Sequence, residues 1–364
     1  MSAAPDGAGL ERHPDPAYLA DAPERTLPIV VIGAGGIARD AHLPAYRKAG
    51  MPVAALVDLD IERAQTLAAD FGIATTYDRL EEAVAAHGTG AIYDVAVMPD
   101  AFGAILHALP DGAAVQLQKP LGYTYAQARE LVTIAERKQL VAAVNTQLRF
   151  APHVVAARRL IAEGAIGELI DLEVLVRVET PWELFPSVFG LERMEMPMHS
   201  VHYVDLVRSF VGDPTGVSAV TVPHPHKELA STRTGYLLHY AGRPLRVTIS
   251  TNHDHSFGAS HQEAAVLWHG TEGAIRAELG LLLDYPRGGA DLLEITTGEG
   301  WREIEVAGSW FPDAFIGSMG ALQRRATGES ATLPTSVRDV LRTMAVLEAA
   351  HEAGQAGGHP LPEG

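Results

Sequence analysis

The chain has 364 residues, 47% of them hydrophobic and 20% charged, which suits two globular domains and excludes both a disordered chain and a membrane-embedded one. A formal net charge of −17 disfavours nucleic acid and anionic lipid as partners, and no run of Lys and Arg reverses that field locally. The absence of cysteine excludes disulfides, a thiolate nucleophile and a Cys-ligated metal.

Residues 1–26 are rich in Ala, Pro and Asp and carry neither a basic start nor an apolar core of the kind export requires, so a cytoplasmic protein is expected. Their low apolar content predicts a flexible leader, with a short helical turn near Tyr18.

From Leu27 onward, short apolar runs alternate with Ala-rich stretches of helical period. The runs Pro28–Ile32, Val53–Val57, Ile92–Val97, Ala114–Leu117 and Val141–Val144 predict parallel strands covered on both faces, hence a doubly wound α/β domain over 27–148. A second domain follows over 149–354. It opens with a helix at His153–Glu163, then alternating strands at Leu169–Val178, Gly216–Val222, Thr234–Tyr240, Leu245–Thr251, Ala264–Trp268 and Gly273–Leu279. That pattern predicts an α+β unit with a large open, mostly antiparallel sheet. Two helices, Pro312–Ala326 and Ser336–Ala353, complete it, with the possibility that they pack back on the first domain; 355–364 is a tail.

The first predicted strand runs into Gly33-Ala34-Gly35-Gly36-Ile37-Ala38, a G-x-G-x-x-A pattern at a strand-to-helix turn. Gly33 permits the tight turn, Gly35 lets a pyrophosphate approach the backbone, and Ala38 lets the helix pack close to the strand. The amides of Gly36 and Ile37 open the helix that would face the phosphates. Asp58 ends the second strand roughly 20 residues later, where a carboxylate accepts hydrogen bonds from ribose hydroxyls and repels a 2′-phosphate. NAD is therefore expected over NADP, with Arg63, one turn beyond Asp58, as the residue that would favour the alternative.

Three segments carry a family resemblance: the glycine loop with His42-Leu43-Pro44-Ala45 after it, Gln118-Lys119-Pro120-Leu121-Gly122, and His202-Tyr203-Val204-Asp205-Leu206-Val207-Arg208 running on to Gly212. Together they resemble the glucose–fructose oxidoreductase, inositol dehydrogenase and MocA family. That resemblance implies a Rossmann dinucleotide domain followed by an α+β domain whose open sheet forms subunit contacts, and so a homodimer or homotetramer. It also places Pro99, Gln118 and Lys119 at the cofactor, with Gln118 standing where Glu is more usual, and Lys119 and His202 at the reaction centre.

Oxidising a secondary alcohol needs a group that takes the hydroxyl proton and a donor that stabilises the developing oxyanion. Lys119 is assigned to the reacting oxygen and His202 to proton transfer, with the identity of the base left open between them. Four residues before His202 the chain has Met198 where much of the family has Asp, so His199 or Asp205 is expected to orient the imidazole. The spacing of His199, His202 and Asp205 also suits a metal on one helical face, but no metal is expected, because the nucleotide signature needs none.

Substrate contacts are expected from Lys119, Arg149, Trp182, His199, His202, His253 and Trp310, since aromatic faces stack on sugar C–H faces and polar side chains pair with hydroxyls. The expected activity is oxidation of a sugar or polyol hydroxyl by NAD. Two other readings stand beside it: a redox-neutral glycosidase that oxidises, eliminates and re-reduces, and an NAD-binding regulator responsive to sugars.

Overall fold

The computed structural model describes residues 20–358 and Leu361; the helical turn expected near Tyr18 lies outside them. Six strands, β1 (Ile29–Ile32), β2 (Val53–Val57), β3 (Thr76–Tyr77), β4 (Ile92–Val95), β5 (Ala114–Gln118) and β6 (Val141–Asn145), form a parallel sheet in the order β3-β2-β1-β4-β5-β6. Helices α1 (Leu43–Ala49), α2 (Ile61–Phe71), α3 (Leu80–His87), α4 (Phe102–Ala108) and α5 (Tyr125–Arg137) make the crossovers.

Strand β1 shows why these runs are apolar throughout. Val30 and Ile32 belong to one core, with Leu106 and Leu131, while Ile29 and Val31 belong to the other, with Tyr46 and Leu67. Each face is covered by helices, so neither alternate position meets water. The strand order reverses between β1 and β4, and the crevice outside the carboxyl ends at such a switch point is where doubly wound sheets receive ligands.

The second domain begins with α6 (Pro152–Ala162) and carries the strands β7 (Leu169–Arg177), β8 (Gly216–Val222), β9 (Arg233–His239), β10 (Arg246–Asn252), β11 (Glu263–Gly270), β12 (Ala274–Glu278), β13 (Leu292–Thr296) and β14 (Arg302–Glu303). They pair in the order β14-β13-β12-β11-β7-β10-β9-β8, antiparallel except for β10 against β7. In β7 the residues Leu172, Val174 and Val176 are buried while their neighbours are partly exposed, the alternation of a sheet with one covered face. Helix α7 (Val201–Val211) contributes Tyr203, Leu206 and Val207 to the same core.

Helices α8 (Asp313–Ala326) and α9 (Val337–Ala356) close the chain, and α8 does pack back on the first domain, with Phe315, Met319 and Leu322 in the core that contains Ile29 and Tyr46. Strands β3, β13 and β14 were not expected; β3 and β14 are two-residue edge pairings, too short to leave a period. Residues 20–26, read from sequence as part of a flexible leader, lie against α8 and its following turn. The Glu329 carboxylate accepts from the amides of Glu24 and Arg25 at 2.8 and 3.0 Å, and Gln323 exchanges two bonds with the backbone of Leu27. No helix among the described residues is long and apolar enough to cross a membrane.

The domains meet at Arg149, directly after β6. Its buried guanidinium is held by both oxygens of Asp205 on α7, by Asp339 on α9 at 2.7 Å and by the Pro334 carbonyl at 3.0 Å. Burial opposes its charge, and the two carboxylates more than offset that, so the group is held protonated. Replacing Arg149 with Met strands the fully buried Asp205 carboxylate. A loss of about 3–5 kcal/mol is expected. Equilibrium denaturation with NAD absent checks this, and an unshifted midpoint would show that the junction does not hold the domains together.

Candidate active site

The glycine loop is shaped by close packing on one side and open space on the other. Gly33 has φ +103°, and a Cβ there would lie 2.7 Å from the Ala96 carbonyl oxygen and from Val97, so the turn admits no side chain. At Gly35 a Cβ would meet nothing within 4 Å, which leaves the loop open on the face where the helix begins. The amides of that first turn, at Gly36 and Ile37, have no carbonyl partners within the helix. The helix then passes through a π-helical turn, Ala38–His42, before α1, a feature with no sequence signature.

Asp58 is tied into the same loop. Its Oδ2 accepts from the Ala34 amide at 2.8 Å and its Oδ1 from the Asp60 amide at 2.9 Å, so the carboxylate is oriented beside the glycine turn with lone pairs to spare. Arg63, considered above as a partner for a 2′-phosphate, is engaged with Asp60 at 3.3 Å. Pro99 is buried at the start of a short turn after β4. Gln118, at the end of β5, accepts from Asn145 Nδ2 at 2.8 Å, which joins the ends of β5 and β6 beneath Lys119. The open loop, the aimed first-turn amides and the oriented carboxylate fit a dinucleotide.

Next along the crevice is Lys119. Its ammonium donates to the Met198 carbonyl at 2.8 Å, and among the described residues no carboxylate lies within ion-pair distance of it. Burial therefore lowers its pKa to about 8. The position at which an acid was missing from the sequence is thus the position whose backbone receives the lysine.

Two histidines face the lysine from the helix that begins with a π-helical turn, Met196–Ser200, and continues as α7. His202 is depressed well below the usual imidazole value, first by burial and then by the Lys119 charge; its Nδ1 is buried without a partner among the described residues. His199 is depressed too, by burial first and then by His253, Lys119 and His202. Both imidazoles are neutral at pH 7.

His253, which follows β10, stacks at a tilt on His199 with centroids 4.4 Å apart. Its Nδ1 meets Thr180 Oγ1 at 2.9 Å and its Nε2 approaches Glu195 Oε1 at 3.4 Å. Glu195 has no exposed surface. Ser200 Oγ donates to both of its oxygens, at 2.8 and 3.0 Å. Burial would raise its pKa, but the bonds from His253, Thr234 and Ser200 outweigh burial and hold it below the ordinary carboxylate value.

Trp182 packs edge-on to His199 at 5.2 Å and lies 5.6 Å from His253, while Trp310 packs edge-on to His202 at 5.8 Å. Both indole N–H groups are buried without a partner among the described residues.

The structure thus gathers Lys119, His199, His202, His253, Trp182 and Trp310, from five separate segments, beyond the ends of β5 and β10. Arg149 is not among them, because its guanidinium is turned to Asp205 and Asp339 in the domain junction. Asp205, expected as a partner of His202, bonds instead to Arg149 and, at 2.9 Å, to Thr343; that also separates it from the two histidines with which it had metal-like spacing. Glu195, Ser200 and Thr180 were missed from sequence. The only signal was an isolated acid in the apolar run Met194–Met198.

Comparison with known proteins agrees with this architecture. Residues 27–146 match the model of the oxidoreductase family with an NAD-binding Rossmann fold, and residues 154–276 match that of the GFO/IDH/MocA C-terminal domain. The chain is 28% identical over 351 residues to D-apiose dehydrogenase of Paraburkholderia graminis, covering 90% of this chain and 87% of that protein. It is 32% identical over 200 residues to 1,5-anhydro-D-fructose reductase of Ensifer adhaerens, covering 53% of this chain and 59% of the relative. Among solved structures, an oxidoreductase from Agrobacterium radiobacter in complex with NAD+, L-tartaric acid and magnesium superposes with a TM-score of 0.75 at 21% identity, over 91% of this chain and 97% of its own. By its two family domains and the order in which they occur, this chain belongs to the GFO/IDH/MocA family of oxidoreductases.

Proposed function

We propose that this protein is an NAD-dependent dehydrogenase that oxidises a secondary hydroxyl of a sugar, polyol or sugar derivative. The observation that carries the reading is a buried lysine whose ionisable neighbours, His199 and His202, are neutral imidazoles, together with a dinucleotide loop and two tryptophans whose N–H groups have no partner among the described residues. The names of the relatives, D-apiose dehydrogenase and 1,5-anhydro-D-fructose reductase, favour a carbohydrate substrate.

Bound nicotinamide would supply the hydride acceptor. The protein's own groups do the rest. A substrate hydroxyl that displaces the Met198 carbonyl from Lys119 hydrogen-bonds to the neutral amine and passes its proton to it, and the ammonium so formed stabilises negative charge on oxygen as the carbonyl forms. With a pKa near 8, part of Lys119 is already neutral near neutral pH, and neutral His202, whose Nδ1 has no partner among the described residues, is placed to pass the proton on. His253 packs on His199 and holds its ring in place, and Glu195 with Thr180 holds His253. Unpaired donors on Trp182 and Trp310 suit hydroxyl oxygens, while their ring faces suit sugar C–H groups.

The direct test is to incubate the protein with NAD, and separately NADP, against sugars, polyols, sugar acids and chromogenic glycosides, following nicotinamide absorbance and aglycone release together. NADH accumulating with a free sugar or polyol is the expected outcome. Aglycone release without net NADH would replace the proposal with redox-neutral glycoside cleavage, and silence in both channels would favour a regulator.

The lysine makes a pH prediction with a definite sign. Its pKa is lowered, so the neutral form grows as pH rises through about 8. The kcat/KM of oxidation should therefore climb from pH 7 to 9 with its midpoint near 8, and with no further inflection near 6.5 because His202 is already neutral there. Lys119→Ala should abolish that inflection and lower kcat by about 100- to 10,000-fold. NAD affinity, read by fluorescence titration, should survive; a variant that keeps the wild-type profile would remove Lys119 from the chemistry.

For the cofactor, Asp58→Ala should weaken NAD by roughly tenfold, the value of a lost charge-assisted hydrogen bond. NADP should be weakened less, or should gain, because the carboxylate repels a 2′-phosphate. Equal weakening of both would refute the ribose role of Asp58.

A further inference from the structure

Away from the catalytic cluster, a cavity of about 470 Å³ lies between α6, the 20–21 segment, α8 and the loop that joins α8 to α9. It shares no lining residue with the glycine loop, with Lys119 or with the histidines. Among the described residues, four arginines line it, Arg149, Arg158, Arg159 and Arg324, with one carboxylate, Asp21. In a chain with a formal net charge of −17, that convergence of cations is unusual.

The arginines are held in different ways. Arg149 is neutralised on its far side by Asp205 and Asp339. Arg324 and Arg159 both reach the Asp21 carboxylate, at 3.0 and 3.6 Å, and that carboxylate is 67% exposed on the surface segment that precedes β1. Among the described residues, Arg158 has only neutral partners in hydrogen-bond range. It donates to the Ser209 carbonyl at 2.6 Å and to Ser209 Oγ at 2.7 Å, and its guanidinium lies 4.0 Å over the Phe210 ring. Burial, and after it the neighbouring Arg149 charge, lower its pKa to about 10. A cation held in that way gains from an added anion.

We infer that this cavity is a binding site for a small oxyanion-bearing molecule, a phosphate monoester or a carboxylate of about monosaccharide size, gripped by Arg158 and Arg324. A planar guanidinium presents paired N–H groups that match phosphate and carboxylate oxygens, which makes arginine suited to such ligands. The volume exceeds what an inorganic anion fills and lies within the range of small-molecule sites. Phe150 and Val155 offer an apolar wall, and Ser330 and Thr332 lie at the same cavity for hydroxyl contacts. Asp21 occupies the place of the ligand's anionic group and must yield it. This site is independent of the dehydrogenase reading and stands or falls separately.

The test is calorimetric titration of the full chain, saturated with NADH, using inorganic phosphate, glucose 6-phosphate, gluconate and neutral glucose as probes. Expected is saturable binding of at least one of the two sugar anions, tighter than that of inorganic phosphate and weakened by added salt, with none for glucose. Arg158→Gln and Arg324→Gln should each weaken it about tenfold, and Asp21→Asn should tighten it by removing the competing carboxylate. Arg324 is partly exposed on α8, so its variant keeps the test valid should Arg158→Gln fold poorly. Binding that is unchanged in Arg324→Gln, equal binding of glucose, or no heat with either sugar anion at millimolar concentration would overturn the assignment.

Discussion

The guanidinium of Arg149 sits where three segments meet: the turn that leaves the parallel sheet, the histidine-bearing helix α7, and the start of α9. A buried cation is costly unless carboxylates meet it, and buried carboxylates are costly unless a cation meets them. Asp205, Asp339 and Arg149 satisfy one another only when α7 lies at one place and angle against the end of β6. The position of His202, three residues before Asp205, follows from that constraint, and so does its distance from Lys119 on the neighbouring strand end. Arg208, a turn further along α7, adds a second tie to α9 through Asp339 and Thr343.

Within the site the same electrostatic logic runs with the opposite sign. Lys119 is buried against a carbonyl and has no carboxylate, so its protonated form is disfavoured, and its positive charge in turn helps keep His199 and His202 neutral. A carboxylate in place of Met198 would stabilise the ammonium and raise its pKa. The buried acid nearest this cluster, Glu195, is kept one residue removed, behind His253, where Ser200 satisfies its oxygens. The cluster thus retains a poised amine and neutral ring nitrogens without a direct ion pair to quench them.

Much of this was legible in the residues. Strand β1 with the glycine loop and Asp58 could be read because a parallel strand buried on both faces must be apolar throughout and because a close backbone approach leaves room only for glycine. The alternation in β7, β8, β9 and β10 was readable for the complementary reason, since one face of that sheet is open. Strand β13 was not read, although Leu293 and Ile295 are buried between partly exposed neighbours, because five residues after a glycine-rich loop carry little periodic signal. Arg149 shows the limit most clearly. A conspicuous arginine beside the nucleotide domain reads equally well as a ligand for substrate or as a structural cation, and only the positions of Asp205 and Asp339, 56 and 190 residues away, decide.

By itself the sequence determined the two-domain plan, the dinucleotide loop with its acidic partner, and the identity of the lysine and the histidine helix, because each rests on local periodicity or on a motif contained within a few residues. The tertiary structure alone decided which of the polar residues share a site. It brought His253 and Glu195 behind His199, turned Asp205 and Arg149 toward each other and away from the histidines, folded residues 20–26 onto α8, and collected four arginines around a second cavity. The physical reason is that burial and charge balance are properties of neighbours in space. A side chain's ionisation and role depend on which partners desolvate or neutralise it, and in this chain those partners come from segments far apart in sequence.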